Sequence, residues 1–107
     1  SNTTMSFAKQ GLPDVTKQPM RSVAFLREIR TALEHVCKDC ELRLENAQDF
    51  AFSADPELLT RAVDNLVRNA AEAGAKIVRL QALRENDMAV LRISDDGPGL
   101  PQRTLDN

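Results

Sequence analysis

The chain has 107 residues, 42% of them hydrophobic, and its 14 basic and 16 acidic residues give a net charge of −2. This length suffices for one domain with a modest core. The balanced charge argues against nucleic acid as a partner, and no apolar run is long enough to contact or cross a membrane. No signal peptide opens the chain, which predicts a cytoplasmic segment, and Ser1-Asn2 resembles an expression-tag remnant.

The first 20 residues predict a boundary region. Residues 5–10 have the pattern of the end of a helix, which Gly11 and Pro13 would stop. Residues 11–19 contain Gly-Leu-Pro-Asp and Gln-Pro, which is typical of a linker.

A helix is predicted from Arg21 to about Asp39, because apolar side chains recur at three- and four-residue steps, with Ser22 as its N-cap. Its end contains Cys37 and Cys40. This spacing fits half a zinc site or a redox pair, but zinc needs about four ligands and only His35 could add a third. The pattern favours two thiols on one helical turn.

The middle of the chain predicts two strands and a second helix. Leu42 and Leu44 share one parity and residues 50 and 52 another, which suggests an antiparallel strand pair. Asp55 followed by Pro56 then begins a helix, which continues to Ala73 and stops at Gly74.

Residues 76–83 and 88–95 predict the last two strands. The order of elements is therefore helix, strand, strand, helix, strand, strand. This order predicts an α/β (α+β) fold, a two-layer sandwich whose mixed or antiparallel sheet is covered on one face by helices.

The second helix carries an unusual polar stripe. Each helical residue turns by about 100°, so Asn65, Asn69 and Glu72 fall within about 60° of arc. This stripe borders the apolar face that should pack on the sheet. Asparagine prefers caps and turns to helix interiors, which favours a functional role for the two amides over a solvated outer face.

The last strand predicts a carboxylate beside these amides. Residues 89, 91 and 93 are apolar and share one side of the strand with Asp95. Asp95 should therefore emerge just past the apolar layer, on the same side as Asn65 and Asn69. A carboxylate there needs a hydrogen-bond donor, which the exocyclic amine of adenine would supply.

Two segments together resemble a known family. Asp64-Asn65-Leu66-Val67-Arg68-Asn69-Ala70 and Ser94-Asp95-Asp96-Gly97-Pro98-Gly99-Leu100 resemble the N-box and first glycine box of the ATP-binding domain shared by sensor histidine kinases, gyrase-type ATPases and their relatives. The resemblance implies that Asn69 coordinates the Mg2+ bound to ATP and that Asn65 lies near the phosphates and metal-bound water. It implies that Asp95 recognises adenine. Gly97 and Gly99 would allow a positive φ or a close approach of backbone to ligand.

The residue at position 65 separates the branches of the family. The gyrase and chaperone branches carry a Glu there, which activates water for ATP hydrolysis. Asn65 cannot act as a general base. The resemblance therefore favours phosphoryl transfer to a protein residue.

Parts of the kinase pattern are missing. The only histidine, His35, is not followed by the acid and proline of a phosphoacceptor motif. The second glycine-rich box and the lid are also absent, since the chain stops soon after Leu100. We therefore expect a fragment of a two-component sensor histidine kinase, inactive by itself, with residues 1–20 as linker and end of the dimerisation helix and residues 21–107 as a partial ATP-binding catalytic domain.

The expected partners are ATP, the dimerisation and phosphoacceptor domain of the parent kinase and, indirectly, a response regulator. The parent could be anchored in a membrane. Two alternatives stay open: an anti-sigma-factor-type serine kinase, and a non-catalytic interaction module with the same fold.

Overall fold

The computed structural model describes residues 2–8 and 17–97, and in residues 2–8 it describes the backbone and the Thr4 side chain. The described elements follow one another as β1 (Asn2–Ala8), β2 (Gln18–Arg21), α1 (Ser22–Ala32), β3 (Glu41–Ala47), β4 (Ala51–Ala54), α2 (Pro56–Glu72), β5 (Ile77–Glu85) and β6 (Met88–Asp95).

The strands form two sheets. The larger sheet has the order β1-β6-β5-β3, and the smaller consists of β2 and β4. β6 pairs antiparallel with β1 and β5, whereas β3 pairs parallel with β5. Both helices pack their buried residues into one core with the inner faces of β5 and β6. This arrangement confirms the predicted two-layer fold with a mixed sheet.

Helix α2 forms where the sequence predicts it. The Asp55 carboxylate accepts hydrogen bonds from the N–H groups of Glu57 and Leu58, at 3.0 and 3.2 Å, and Pro56 occupies the first helical position. The helix ends before Gly74, whose φ of 85° is favourable only for glycine. Its buried side chains are Leu59, Val63, Val67 and Ala70.

Helix α1 is shorter than predicted. It ends at Ala32, because Leu33 leaves the helical region with φ −103° and ψ 8°, and the chain continues in turns. Leu33 and Cys37 are nevertheless buried in the core, so the apolar spacing persists after the regular helix has ended. Ser22 is the first helical residue and Arg21 is the N-cap, so the predicted cap was wrong by one residue.

The helix predicted over residues 5–10 is wrong in its described part. Residues 5–8 belong to β1, which pairs with β6 from Asn2↔Ser94 to Ala8↔Met88. The segment begins with two β-branched threonines, and β6 would otherwise expose an unpaired edge. The Thr4 hydroxyl accepts a hydrogen bond from Arg92 Nε at 3.3 Å.

The predicted linker and domain boundary fall partly outside the described residues. Residues 9–16 are not described, but Gln18–Arg21 forms β2 and pairs with β4. The last two residues of the predicted linker, 18 and 19, therefore belong to a strand. The division of the chain at residues 20 and 21 stays a prediction.

The predicted antiparallel pairing of the third and fourth strands is also wrong. β3 pairs parallel with β5, and β4 joins β2 in the other sheet. The segment between β3 and β4 is bound to the buried Ser22 hydroxyl instead of forming a hairpin turn. This hydroxyl donates to Gln48 O at 2.7 Å and accepts from Phe50 N at 2.9 Å. Gln48 N also donates to Ala82 O at 2.8 Å, which holds the end of β3 against β5.

The hairpin of β5 and β6 confirms the predicted parity. Val78, Leu80 and Ala82 pair with Asp95, Ile93 and Leu91, and the apolar members of these pairs are all buried in the core. The strands turn at Asn86 and Asp87, where Asn86 has a φ of 55°. Within the described ranges, no helix is long and apolar enough to cross a membrane.

Candidate functional site

The outer flank of α2 presents the two predicted amides. Asn65 and Asn69 are exposed, and Leu66 between them is half-buried against the core. At about 100° per residue, the centre of the buried stripe of α2 lies about 155° from Asn65 and about 115° from Asn69 around the helix axis. The structure thus places both amides on the solvent-exposed side of the helix, and Asn65 lies opposite the core rather than at the border of the apolar face that the sequence predicts.

Asp95 ends β6 and turns the chain toward Gly97. Asp95 is half-buried, and its Oδ1 accepts a hydrogen bond from Gly97 N at 2.9 Å. A Cβ at Gly97 would lie 3.0 Å from the same oxygen and 3.4 Å from Ala75. A side chain at position 97 would therefore force the Asp95 carboxylate or Ala75 to shift by a few tenths of an ångström. Pro98 and Gly99 lie outside the described residues.

Asp96 fastens this turn to the loop that follows α2. Its Oδ1 accepts hydrogen bonds from Lys76 N at 2.8 Å and Ile77 N at 2.9 Å, and its own N–H donates to Ile77 O at 3.3 Å. The hydrogen bonds from Ile77 and then Lys76 lower the pKa of the Asp96 carboxyl, because they stabilise its charged form.

Ala75 is the point where α2 and the glycine turn meet. Its N–H donates to Ala70 O at 3.1 Å, which closes the C-terminal end of the helix one residue after Asn69. The same residue is buried, and it lies 3.4 Å from the position that a Cβ at Gly97 would take. The hydrogen bonds of Asp96 to Lys76 and Ile77 then join the loop after the helix of Asn69 to the segment of Asp95.

The cysteine pair lies outside regular structure. Cys37 and Cys40 form a disulfide in the loop between α1 and β3, with their Cα atoms 4.8 Å apart. The prediction of two thiols on one helical turn is therefore wrong, because the regular helix has already ended at Ala32.

The exposed His35 borders an open cleft of about 420 Å3 between this loop and α2. The cleft is lined by His35, Val36, Lys38, Arg68, Ala71 and Glu72. Over residues 2–8 and 17–97, no group of three His, Cys, Asp or Glu side chains could hold a metal ion.

Asp96 and Ala75 were not assigned a role from the sequence. Asp96 carried a usable signal, because Asp side chains in turns often accept hydrogen bonds from nearby backbone N–H groups. Its partners, however, lie 20 and 19 residues earlier in the chain. No local pattern identifies partners at that separation.

Comparisons with known proteins agree with this geometry. The family described as "Histidine kinase-, DNA gyrase B-, and HSP90-like ATPase" matches residues 54–107, which include all the predicted site residues. No curated protein matches the chain.

Two solved structures are similar. The ATP binding domain of PrrB from Mycobacterium tuberculosis is 26% identical, with a TM-score of 0.73 over 82% of this chain and 65% of that one. The mycobacterial sensor histidine kinase MprB is 21% identical, with a TM-score of 0.63 over 80% of this chain and 59% of that one, and supports the fold alone. The chain spans less than two thirds of each of these structures.

The family match covers half of the chain and contains both the amide-bearing helix and the glycine turn. The chain belongs to the family of histidine kinase-, DNA gyrase B- and HSP90-like ATPases.

Proposed function

We propose that this chain is the ATP-binding part of a sensor histidine kinase, in which the complete protein transfers the γ-phosphoryl group of ATP to a histidine outside residues 1–107. The observation that carries the proposal is the set of hydrogen bonds by which Asp96 joins the turn of Asp95 and Gly97 to the loop that follows the helix of Asn69. The 26% identity to the ATP binding domain of PrrB supports binding of ATP.

Asp95 recognises the base in this proposal. Asp95 is half-buried at the end of β6, where it pairs with the fully buried Val78 of β5. A carboxylate in such a position can accept a hydrogen bond from the 6-amino group of adenine. Gly97 allows the nucleotide to approach the backbone, because it has no Cβ.

Asn65 and Asn69 bind the phosphate side of the ligand. Amide oxygens on an exposed helix flank suit magnesium, which keeps several waters and takes its remaining ligands from phosphate oxygens. Bound with ATP, magnesium would neutralise charge on the phosphates during transfer.

Phosphoryl transfer is preferred over ATP hydrolysis. Asn65 has no basic group that could activate water. Glu72 lies three residues after Asn69 on the same helix and also lines the cleft with His35 and Lys38, whereas the branches that hydrolyse ATP carry their water-activating Glu at position 65. The acceptor is then a histidine of the dimerisation and phosphoacceptor domain, and a response regulator would receive the phosphoryl group from that histidine. Because ATP is a cytoplasmic nucleotide, we place this domain in the cytoplasm.

The test is phosphorylation of the complete protein with radiolabelled ATP. We expect an acid-labile phosphoramidate on a histidine in the wild type and no label in Asn69→Ala, because the transferring group loses its metal-held geometry. Arg61→Ala is the matched control, since Arg61 is exposed on the same helix and pairs with Glu57. An acid-stable phosphoserine would identify the serine-kinase alternative, and full labelling of Asn69→Ala would contradict the role of Asn69.

A further inference from the structure

The disulfide between Cys37 and Cys40 has no role in the proposed phosphoryl transfer. Cys37 is buried, with 7% of its surface exposed, whereas Cys40 is half-buried at the edge of the core. An attacking thiol therefore has easier access to Cys40. The two residues close a ring of only four residues in the chain.

Hydrogen bonds connect this ring to the glycine turn. The residue after Cys40, Glu41, donates its N–H to Lys76 O at 2.9 Å. Lys76 N then donates to Asp96 Oδ1 at 2.8 Å, and Asp96 directly follows Asp95. The disulfide loop is thus connected to the segment that carries Asp95 by two hydrogen bonds, both of them made by the backbone of Lys76.

The disulfide loop also faces the helix of Asn69 across the cleft. The disulfide loop supplies one wall of the cleft with His35, Val36 and Lys38, and α2 supplies the other. Arg68, the residue before Asn69, belongs to that second wall. The loop therefore adjoins both segments that build the candidate site.

We propose that the Cys37–Cys40 disulfide is a redox-modifiable site, opened by thiol–disulfide exchange with a dithiol and closed by the reverse exchange with the cyclic disulfide of that dithiol, and that its state sets the affinity for adenine nucleotide at Asp95. This inference rests on the proposed function, both for the ligand and for the cytoplasmic location. In a reducing compartment, disulfides are usually transient and serve catalysis or redox sensing rather than permanent stabilisation.

The exchange needs only a dithiol as co-reactant. One thiolate of the dithiol forms a bond to Sγ of Cys40, the Sγ–Sγ bond breaks, and Sγ of Cys37 leaves with the electron pair and takes up a proton. The second thiolate of the dithiol then displaces Sγ of Cys40, which also takes up a proton. Two electrons and two protons pass to the cysteine pair, and the dithiol becomes a cyclic disulfide.

The closed disulfide favours nucleotide binding. The ring restricts the conformations of the loop and so maintains the hydrogen bond from Glu41 N to Lys76 O. After reduction the loop has more freedom, and binding at Asp95 must then order it again. Reduction should therefore weaken nucleotide affinity without removing any residue that touches the ligand.

The test compares the oxidised chain with the chain reduced by dithiothreitol. ADP with magnesium is titrated into each, and the amide signal of Gly97 is followed by NMR. We expect reduction to weaken binding about fivefold, at the lower end of typical coupling between sites. We also expect the amide signals of Lys76 and Ile77 to shift on reduction.

The double variant Cys37→Ser/Cys40→Ser is the matched control. It should bind ADP as the reduced wild type does and show no response to dithiothreitol. Equal affinities of the oxidised and reduced wild type, or tighter binding after reduction, would overturn the coupling while leaving the proposed function intact. No binding in either state would contradict the proposed function and the coupling with it.

Discussion

At the residue scale, the adjacent carboxylates of Asp95 and Asp96 differ in burial and in their hydrogen-bond partners. Asp95 shares the core side of β6 with Leu91 and Ile93 and is half-buried. Asp96 is exposed and accepts the N–H groups of Lys76 and Ile77. The sequence predicts the position of Asp95, because strand parity fixes the side on which it emerges. The sequence does not predict the hydrogen bonds of Asp96, because their donors belong to a loop that is distant in sequence.

Asp96 gives the chain an acid-sensitive contact. Its pKa is lowered from the usual 3.8 by the backbone hydrogen bonds of Ile77 and Lys76. A carboxyl whose pKa is lower in the folded state stabilises the fold above its unfolded pKa, and this contribution disappears as the pH falls through the folded pKa. When the pH is lowered from about 6 to about 3, we expect the free energy of unfolding to fall less in Asp96→Asn than in the wild type.

Urea unfolding at the two pH values measures this difference. Asp87→Asn is the matched control, because Asp87 is an exposed carboxylate in the turn between β5 and β6. The control should keep the acid sensitivity of the wild type. If Asp96→Asn also keeps it, the hydrogen bonds to Lys76 and Ile77 do not contribute to stability as described.

At the element scale, local signals predict α2 and the β5–β6 hairpin, whereas long-range pairing decides the rest. Asp55, Pro56 and Gly74 determine the ends of α2 through contacts within a few residues. β3 instead pairs with a strand that follows α2, and β1 pairs with the last strand described. Neither partner can be recognised from alternation within the segment itself, so the predicted hairpin of the third and fourth strands and the predicted N-terminal helix were wrong.

The cap of α2 offers a test of the local part of the fold. Asp55→Ala removes the acceptor for Glu57 N and Leu58 N, which should lower the free energy of unfolding by about 1 kcal/mol. Asp64→Ala is the matched control, because Asp64 forms only an i,i+4 pair with Arg68 on the same helix, worth about 0.3–0.5 kcal/mol. Urea unfolding of both variants gives the comparison. A smaller loss in Asp55→Ala than in Asp64→Ala would contradict the capping role.

At the scale of the whole molecule, the fold brings a helix flank and a strand end together at Ala75. Family membership and the two-layer fold could be predicted, because the N-box and glycine box are short segments with a fixed order, and the roles of the site residues stay predictions. The contact through Ala75, the link through Asp96 and the disulfide loop could not. They depend on how the ends of α2 and β6 and the start of β3 lie at the same side of the molecule.

The recognition of adenine by Asp95 is the central claim, and calorimetric titration of ADP and of ATP into wild type and Asp95→Asn tests it most directly. Loss of a hydrogen bond to a charged acceptor costs about 1.5–3 kcal/mol, so both nucleotides should bind roughly 10- to 150-fold more weakly to the variant. The two losses should be similar, because ADP and ATP share the base. Asp87→Asn removes an equal charge from the turn between β5 and β6 and should bind as the wild type does. Unchanged affinity of Asp95→Asn for both nucleotides would contradict the account.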